Sequence, residues 1–153
     1  LVGQSKGASK RSLMHSFAWI CMALGIGIMA FMGLIMWLFA PEMMSIIPPD
    51  KAVIDLGIEI LRIEAWAEPG FAAAIVAMSV FVGAGKTLIP SLMNLGSIWI
   101  VRVSLTLLLA PSMGLRGVWI AMAIELCFRG IIFTARLCTR KWSFIKDRSQ
   151  TVN

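Results

Sequence analysis

The sequence predicts an all-α membrane protein with four transmembrane helices. Residues of the AVILMFWYC set make up 59% of the 153 residues and charged residues only 14%, well below the roughly 25% charged of a soluble domain. Four mostly apolar runs, 13–40, 52–85, 88–110 and 117–138, each reach the length of about 20 residues that crosses the hydrocarbon core. Lys and Arg gather in alternate connections, the bias that orients membrane proteins.

Residues 1–12 read as a connection from a preceding helix. The opening at Leu1 rather than Met, with no basic, apolar and small-residue leader before the first run, reads as a fragment of a longer protein. The first span, 13–40, contains no charged side chain, and only His15 titrates, near its start. Pro41 is expected to end it. A loop over 41–51 with Glu42, Pro48, Pro49 and Asp50 follows. The second span, 52–85, begins amphipathic and finishes wholly apolar. Its interior Pro69 removes a backbone hydrogen bond and predicts a kink. The third span, 88–110, carries Pro90 in its first turn, where proline is tolerated, and Pro111 is expected to close it. The fourth, 117–138, leads into a basic tail, 139–153.

Lys6, Lys10 and Arg11, the turn residue Lys86, and the tail residues Arg140, Lys141, Lys146 and Arg148 fall on one side of four spans. The other two loops hold one basic residue each, Lys51 and Arg116. Both ends are therefore expected in the cytoplasm of a multi-pass plasma-membrane protein, with Trp142 as an interfacial anchor. The net charge of +6 suits anionic lipid, and nothing resembles a basic surface that reads nucleic acid. Cys21, Cys127 and Cys138 lack paired or metal-ligand spacing. They read as buried thiols, and no metal site or cofactor is expected.

Charges inside the spans carry the functional argument, because each costs about 2.5–3.5 kcal/mol near mid-bilayer on insertion scales. Arg102, Glu125 and Arg129 should face a protein interior or a wet cavity. Glu125 and Arg129 stand at i and i+4 in the favourable order for a helical ion pair. Such a pair can serve insertion and bundle orientation alone, or Glu125 can titrate against Arg102 of the neighbouring span. In the second span Asp55, Glu59 and Arg62 share a face near the loop and read as solvated. Glu64 and Glu68, also i and i+4, lie deeper. Glu68 precedes Pro69, which frees a carbonyl one turn earlier, so a carboxylate and a carbonyl can converge on a cation or proton. Burial disfavours the charged form of a carboxylate, as proton carriage requires. Structural pairing is the competing account. Trp99 and Trp119 can offer π faces to organic cations or pack, and the eleven methionines suit a repackable surface or loose helix packing.

Gly85-Lys86-Thr87 looks like the end of a phosphate-binding loop, but that motif needs a glycine where Val80 stands. It reads instead as a tight turn between spans.

The order of motifs over 83–130 resembles the carboxy-terminal helices of the multidrug and toxic compound extrusion (MATE) transporters. The residues that carry it are Gly83-Ala84-Gly85-Lys86-Thr87 with Pro90, then Asn94, Trp99 and Arg102. Gly114-Leu115-Arg116-Gly117-Val118-Trp119-Ile120-Ala121, Glu125, Arg129 and Gly130 follow. Leu1-Val2-Gly3-Gln4 with Gly7-Ala8 resembles the end of the family's eighth helix, and Asp55, Leu56, Gly57, Leu61 and Arg62 the start of its tenth. Lys86 departs from the pattern, where the family usually has an acidic residue. The family's commonest acidic position in the tenth helix falls near Phe71, one turn from Glu68.

The resemblance implies four of the six helices of one bundle in a two-bundle transporter, with an amino-terminal bundle supplied by the rest of the parent chain. It implies an antiporter, not an enzyme, that exports organic cations and drugs against sodium or protons. Cation-coupling candidates are Glu68 and Glu64. Arg102, Glu125 and Arg129 form the intramembrane charge network, and Trp99, Trp119 and Asn94 are the substrate-contact candidates. A flippase for lipid-linked or polysaccharide substrates is the alternative within the superfamily. A non-transporting four-helix subunit is the alternative outside it.

Overall fold

The computed structural model describes residues 11–46 and 50–139. The connection with Gln4, Lys6, Gly7, Ala8 and Lys10, the loop residues Pro48 and Pro49, and the tail with Arg140, Lys141, Trp142, Lys146 and Arg148 lie outside the described residues. The elements are helices α1 (Arg11–Met44), α2 (Lys51–Gly83) and α3 (Leu88–Gly96), a π-helical segment (Ser97–Val103), and helices α4 (Ser104–Met113) and α5 (Leu115–Cys138). Helix α3, the π segment and α4 run end to end as one span, Leu88–Met113. With it, α1, α2 and α5 make four helices long and apolar enough to cross a membrane. The protein is a multi-pass, all-α membrane protein in contact with the bilayer.

Two prolines expected to end helices do not. Helix α1 continues through Pro41 to Met44, and α4 continues through Pro111 to Met113. A proline removes only its own donor, and the residues after it can go on bonding backwards. Ser45 N–H donates to Pro41 O at 3.0 Å, and Gly114 N–H donates to Ala110 O at 2.9 Å. The stop after α4 needs Gly114, at φ 60° and ψ −136°, a conformation open to glycine and hostile to a Cβ. Helix α5 accordingly begins at Leu115 rather than 117. Helix α2 runs from Lys51 to Gly83 without a break at Pro69.

The turn after α2 is a Schellman motif. Gly85 has φ 75°; its N–H donates to Val82 O, and the Lys86 N–H donates to Phe81 O at 3.0 Å. The left-handed glycine satisfies the last helical carbonyls and reverses the chain at once. The Gly-Lys-Thr sequence is therefore a helix–turn–helix corner, without the strand that a phosphate loop requires. At the other end of α2, Asp50 caps the helix by accepting from the Ala52 N–H at 3.1 Å.

Helix α1 packs on α2, α2 on α5, and α5 on the third span. In lipid, close backbone approach and van der Waals contact bind helices, since hydrocarbon competes for apolar side chains. Small residues mark every crossing. A Cβ at Gly130 would lie 2.5 Å from Gly70 O, and one at Gly117 2.5 Å from Leu109 O. Ala65, Ala67, Ala73 and Ala77 of α2 are buried. A core of Met14, Ala18 and Met22 from α1, Val80 and Phe81 from α2, and Phe133 and Leu137 from α5 closes one end. There the Phe81 and Phe133 rings sit 6.1 Å apart, tilted by 44°. Leu24, Ile28 and Phe31 on α1 and Leu92, Leu107 and Leu108 on the third span point outward, as a lipid-facing surface should. Cys138 is exposed and Cys21 and Cys127 are half-buried, which corrects the expectation of three buried thiols. Cys138 closes the last turn of α5, beyond the tightest packing.

Candidate functional site

Glu125 of α5 is 0% exposed and sits in a hydrogen-bonded network between α5 and the third span. The Ser97 hydroxyl donates to Glu125 Oε1 at 2.6 Å. Arg129 Nη2 donates to Oε2 at 3.0 Å, and Arg129 Nη1 donates to Asn94 Oδ1 at 2.5 Å. Arg102 Nε lies 4.0 Å from Glu125 Oε2, a long ion pair. Side-chain exposure rises from 14% at Arg129 to 33% at Arg102. An uncompensated charge here would cost several kcal/mol, and the network offsets that with two cations and a hydroxyl on one carboxylate.

The π segment makes this convergence possible. In an α-helix residues five apart point about 140° away from one another. The i→i+5 bonding of a π turn stacks them instead. Ser97 and Arg102 are five apart and both approach Glu125. No proline or glycine within SIWIVRV announces the extra residue, so sequence periodicity missed it. Ser97 itself was missed as well. The available signal was its place three residues after Asn94, which puts two polar groups on one face of an otherwise apolar helix.

The other candidate residues sit on α2. Glu64 Oε2 and Glu68 Oε2 are buried and have no hydrogen-bond partner among the described residues. Arg102 lies within electrostatic reach of Glu64. The carbonyl that Pro69 releases belongs to Ala65, four residues earlier. It faces Gly33 of α1, where a Cβ would lie 2.7 Å from Ala65 O and 3.5 Å from Glu68 Cβ. The freed carbonyl and the stem of Glu68 thus share the face of α2 that α1 covers.

Towards the start of α2 the side chains diverge. Asp55 is exposed. Glu59 pairs with Arg116 of α5 at 2.7 Å, and the Arg62 guanidinium lies 5.2 Å from the Trp37 ring centroid. Among the substrate-contact candidates, Asn94 is engaged by Arg129. Trp99 is 65% exposed and Trp119 is half-buried.

The family model described as MatE matches residues 1–108, which take in α1, α2 and the third span into α4. A probable multidrug resistance protein NorM of Brucella suis biovar 1 is 30% identical over 142 residues, covering 88% of this chain and 30% of that protein. The protein of the same name from Brucella melitensis biotype 1 gives the same figures. One from Chromobacterium violaceum is 26% identical over 139 residues, covering 87% and 30%. The chain thus spans about 30% of the length of these curated relatives. No solved structure matches. With the motif order of 83–130, the four membrane-spanning helices and a family model over most of its length in agreement, the chain belongs to the MatE family, the multidrug and toxic compound extrusion transporters.

Proposed function

We propose that the chain is the carboxy-terminal part of a cation-coupled antiporter that exports organic cations and drugs, a transporter and not an enzyme. In this reading Glu68, with Glu64, binds the sodium ion or proton that drives export. One observation carries it: two carboxylates one turn apart in a membrane-spanning helix each hold a buried oxygen with no donor among the described residues. Like charges at i and i+4 repel, and an unpaired buried anion is costly. A proton or cation entering between them removes both costs, which gives the site a reason to change occupancy during a cycle. The multidrug resistance names of the relatives support the exporter over a flippase or a non-transporting subunit.

Trp99 and Trp119 remain the aromatic groups on offer to an organic cation. The remaining length of the parent chain supplies the amino-terminal bundle, and both ends of this segment face the cytoplasm at the plasma membrane. The test is ion-driven ethidium export by the parent transporter. Glu68→Gln abolishes export while the protein stays folded and inserted, and Asp55→Asn, at an exposed position, leaves export nearly unchanged. Export by Glu68→Gln at the parental rate rejects Glu68 as the coupling group.

A further inference from the structure

Between α1 and α2, on their outward side, lies a cavity of about 310 Å³ lined by Ala30, Gly33, Leu34, Trp37, Trp66 and Pro69, among others. Its lining side chains are apolar or aromatic. Among the described residues the cavity stands open, with Leu34 54% and Trp66 76% exposed. Arg62 stands one helical turn before Trp66, is exposed, and holds its guanidinium 5.2 Å from the Trp37 ring centroid. Among the described residues it has no carboxylate within ion-pair distance.

Depth along the helices matches a bilayer interface. Arg62 precedes Gly83, the end of α2, by 21 residues, about 32 Å at 1.5 Å per residue. Trp37 follows Met14, which belongs to the same core cluster as Phe81 and Ala84, by 23 residues, about 35 Å. The hydrocarbon core is about 30 Å thick. Arg62 and Trp37 therefore reach the headgroup level of one leaflet, and the apolar groove runs from them into the acyl region. A cation at headgroup depth above an apolar channel fits an amphiphile with an anionic head. The same cation, already stacked on Trp37, repels an organic cation.

We propose that this groove is a binding site for an anionic phospholipid, with the phosphate on Arg62 and an acyl chain lying along Leu34, Ala30 and Pro69. The site rests on the membrane-spanning architecture and is independent of the transport reading. Its inner wall is the Gly33–Ala65 contact beside Glu68, so a bound chain buttresses α1 against α2 at the level of the acidic pair.

The test is native mass spectrometry of the purified protein after exchange into micelles holding equal phosphatidylglycerol and phosphatidylcholine. Phosphatidylglycerol is retained several-fold over phosphatidylcholine. Arg62→Gln brings the ratio to near one, and Arg62→Lys keeps the preference. Ala30→Trp, which fills the groove from an exposed position, lowers retention of both lipids. Arg116→Gln, which removes the cation paired with Glu59, leaves the ratio unchanged. Unaltered phosphatidylglycerol retention by Arg62→Gln or by Ala30→Trp overturns the proposal. Displacement of the lipid by ethidium, marking a drug site, or cross-linking of a cysteine at Ala30 to a helix outside this chain overturns it too.

Discussion

Both oxygens of Glu125 are engaged, one by Ser97 and the other by Arg129, with Arg102 at longer range. Removing one member of a buried charge network costs more than the network contributes, because the remaining charge is left unpaired. Glu125→Gln is expected to lower stability by about 3–5 kcal/mol, since two guanidiniums lose their carboxylate. Ser97→Ala removes one interhelical hydrogen bond, for which membrane proteins show about 0.6 kcal/mol on average and about 1.7 at most. Thermal unfolding of purified variants separates the two. Equal losses would mean that Glu125 contributes hydrogen bonding alone and that its charge is unimportant to the fold.

The helices hold together at small residues, so the same glycine substitution has opposite effects at different crossings. At Gly130 a Cβ would meet Gly70 O at 2.5 Å, a backbone group that can move only if α2 and α5 separate. At Gly96 nothing lies within 4 Å, and the backbone is already helical at φ −61°. Gly130→Ala should cut the yield of monodisperse protein and lower its melting temperature. Gly96→Ala should leave both unchanged or raise stability by up to about 1 kcal/mol through helix propensity. Comparable behaviour of the two variants would remove the Gly70–Gly130 contact as the element that fixes α2 against α5.

Across the whole molecule, the four spans and the placement of basic residues predict an orientation. Lys86 lies in the turn after α2, on the side assigned to the cytoplasm, and Lys51 and Arg116 are the lone basic residues of the opposite loops. Asp50→Cys should react with a membrane-impermeant maleimide added outside cells, and Ser149→Cys should react only after permeabilisation. The reverse pattern inverts the topology and moves the Arg62–Trp37 groove to the inner leaflet.

The sequence by itself determined the number of spans, the membrane environment and the family, because bilayer thickness fixes helix length and each apolar run declares itself locally. It also located the charges that matter, since Arg102, Glu125 and Arg129 are conspicuous among Leu, Ile and Val, and the i, i+4 spacing of Glu125 and Arg129 already named their pairing. The structure decided where two of the helices stop: Pro41 and Pro111 look like terminators, yet one helix runs on to Met44 and the other to Met113, where Gly114 ends it. It likewise assigned Asn94 to Arg129, Ser97 to Glu125, and Gly33 to the carbonyl that Pro69 frees. Those contacts join residues up to 35 positions apart. They depend on a π turn and on backbone approaches that no local pattern encodes, because the energy favouring them exists only once two helices are in contact.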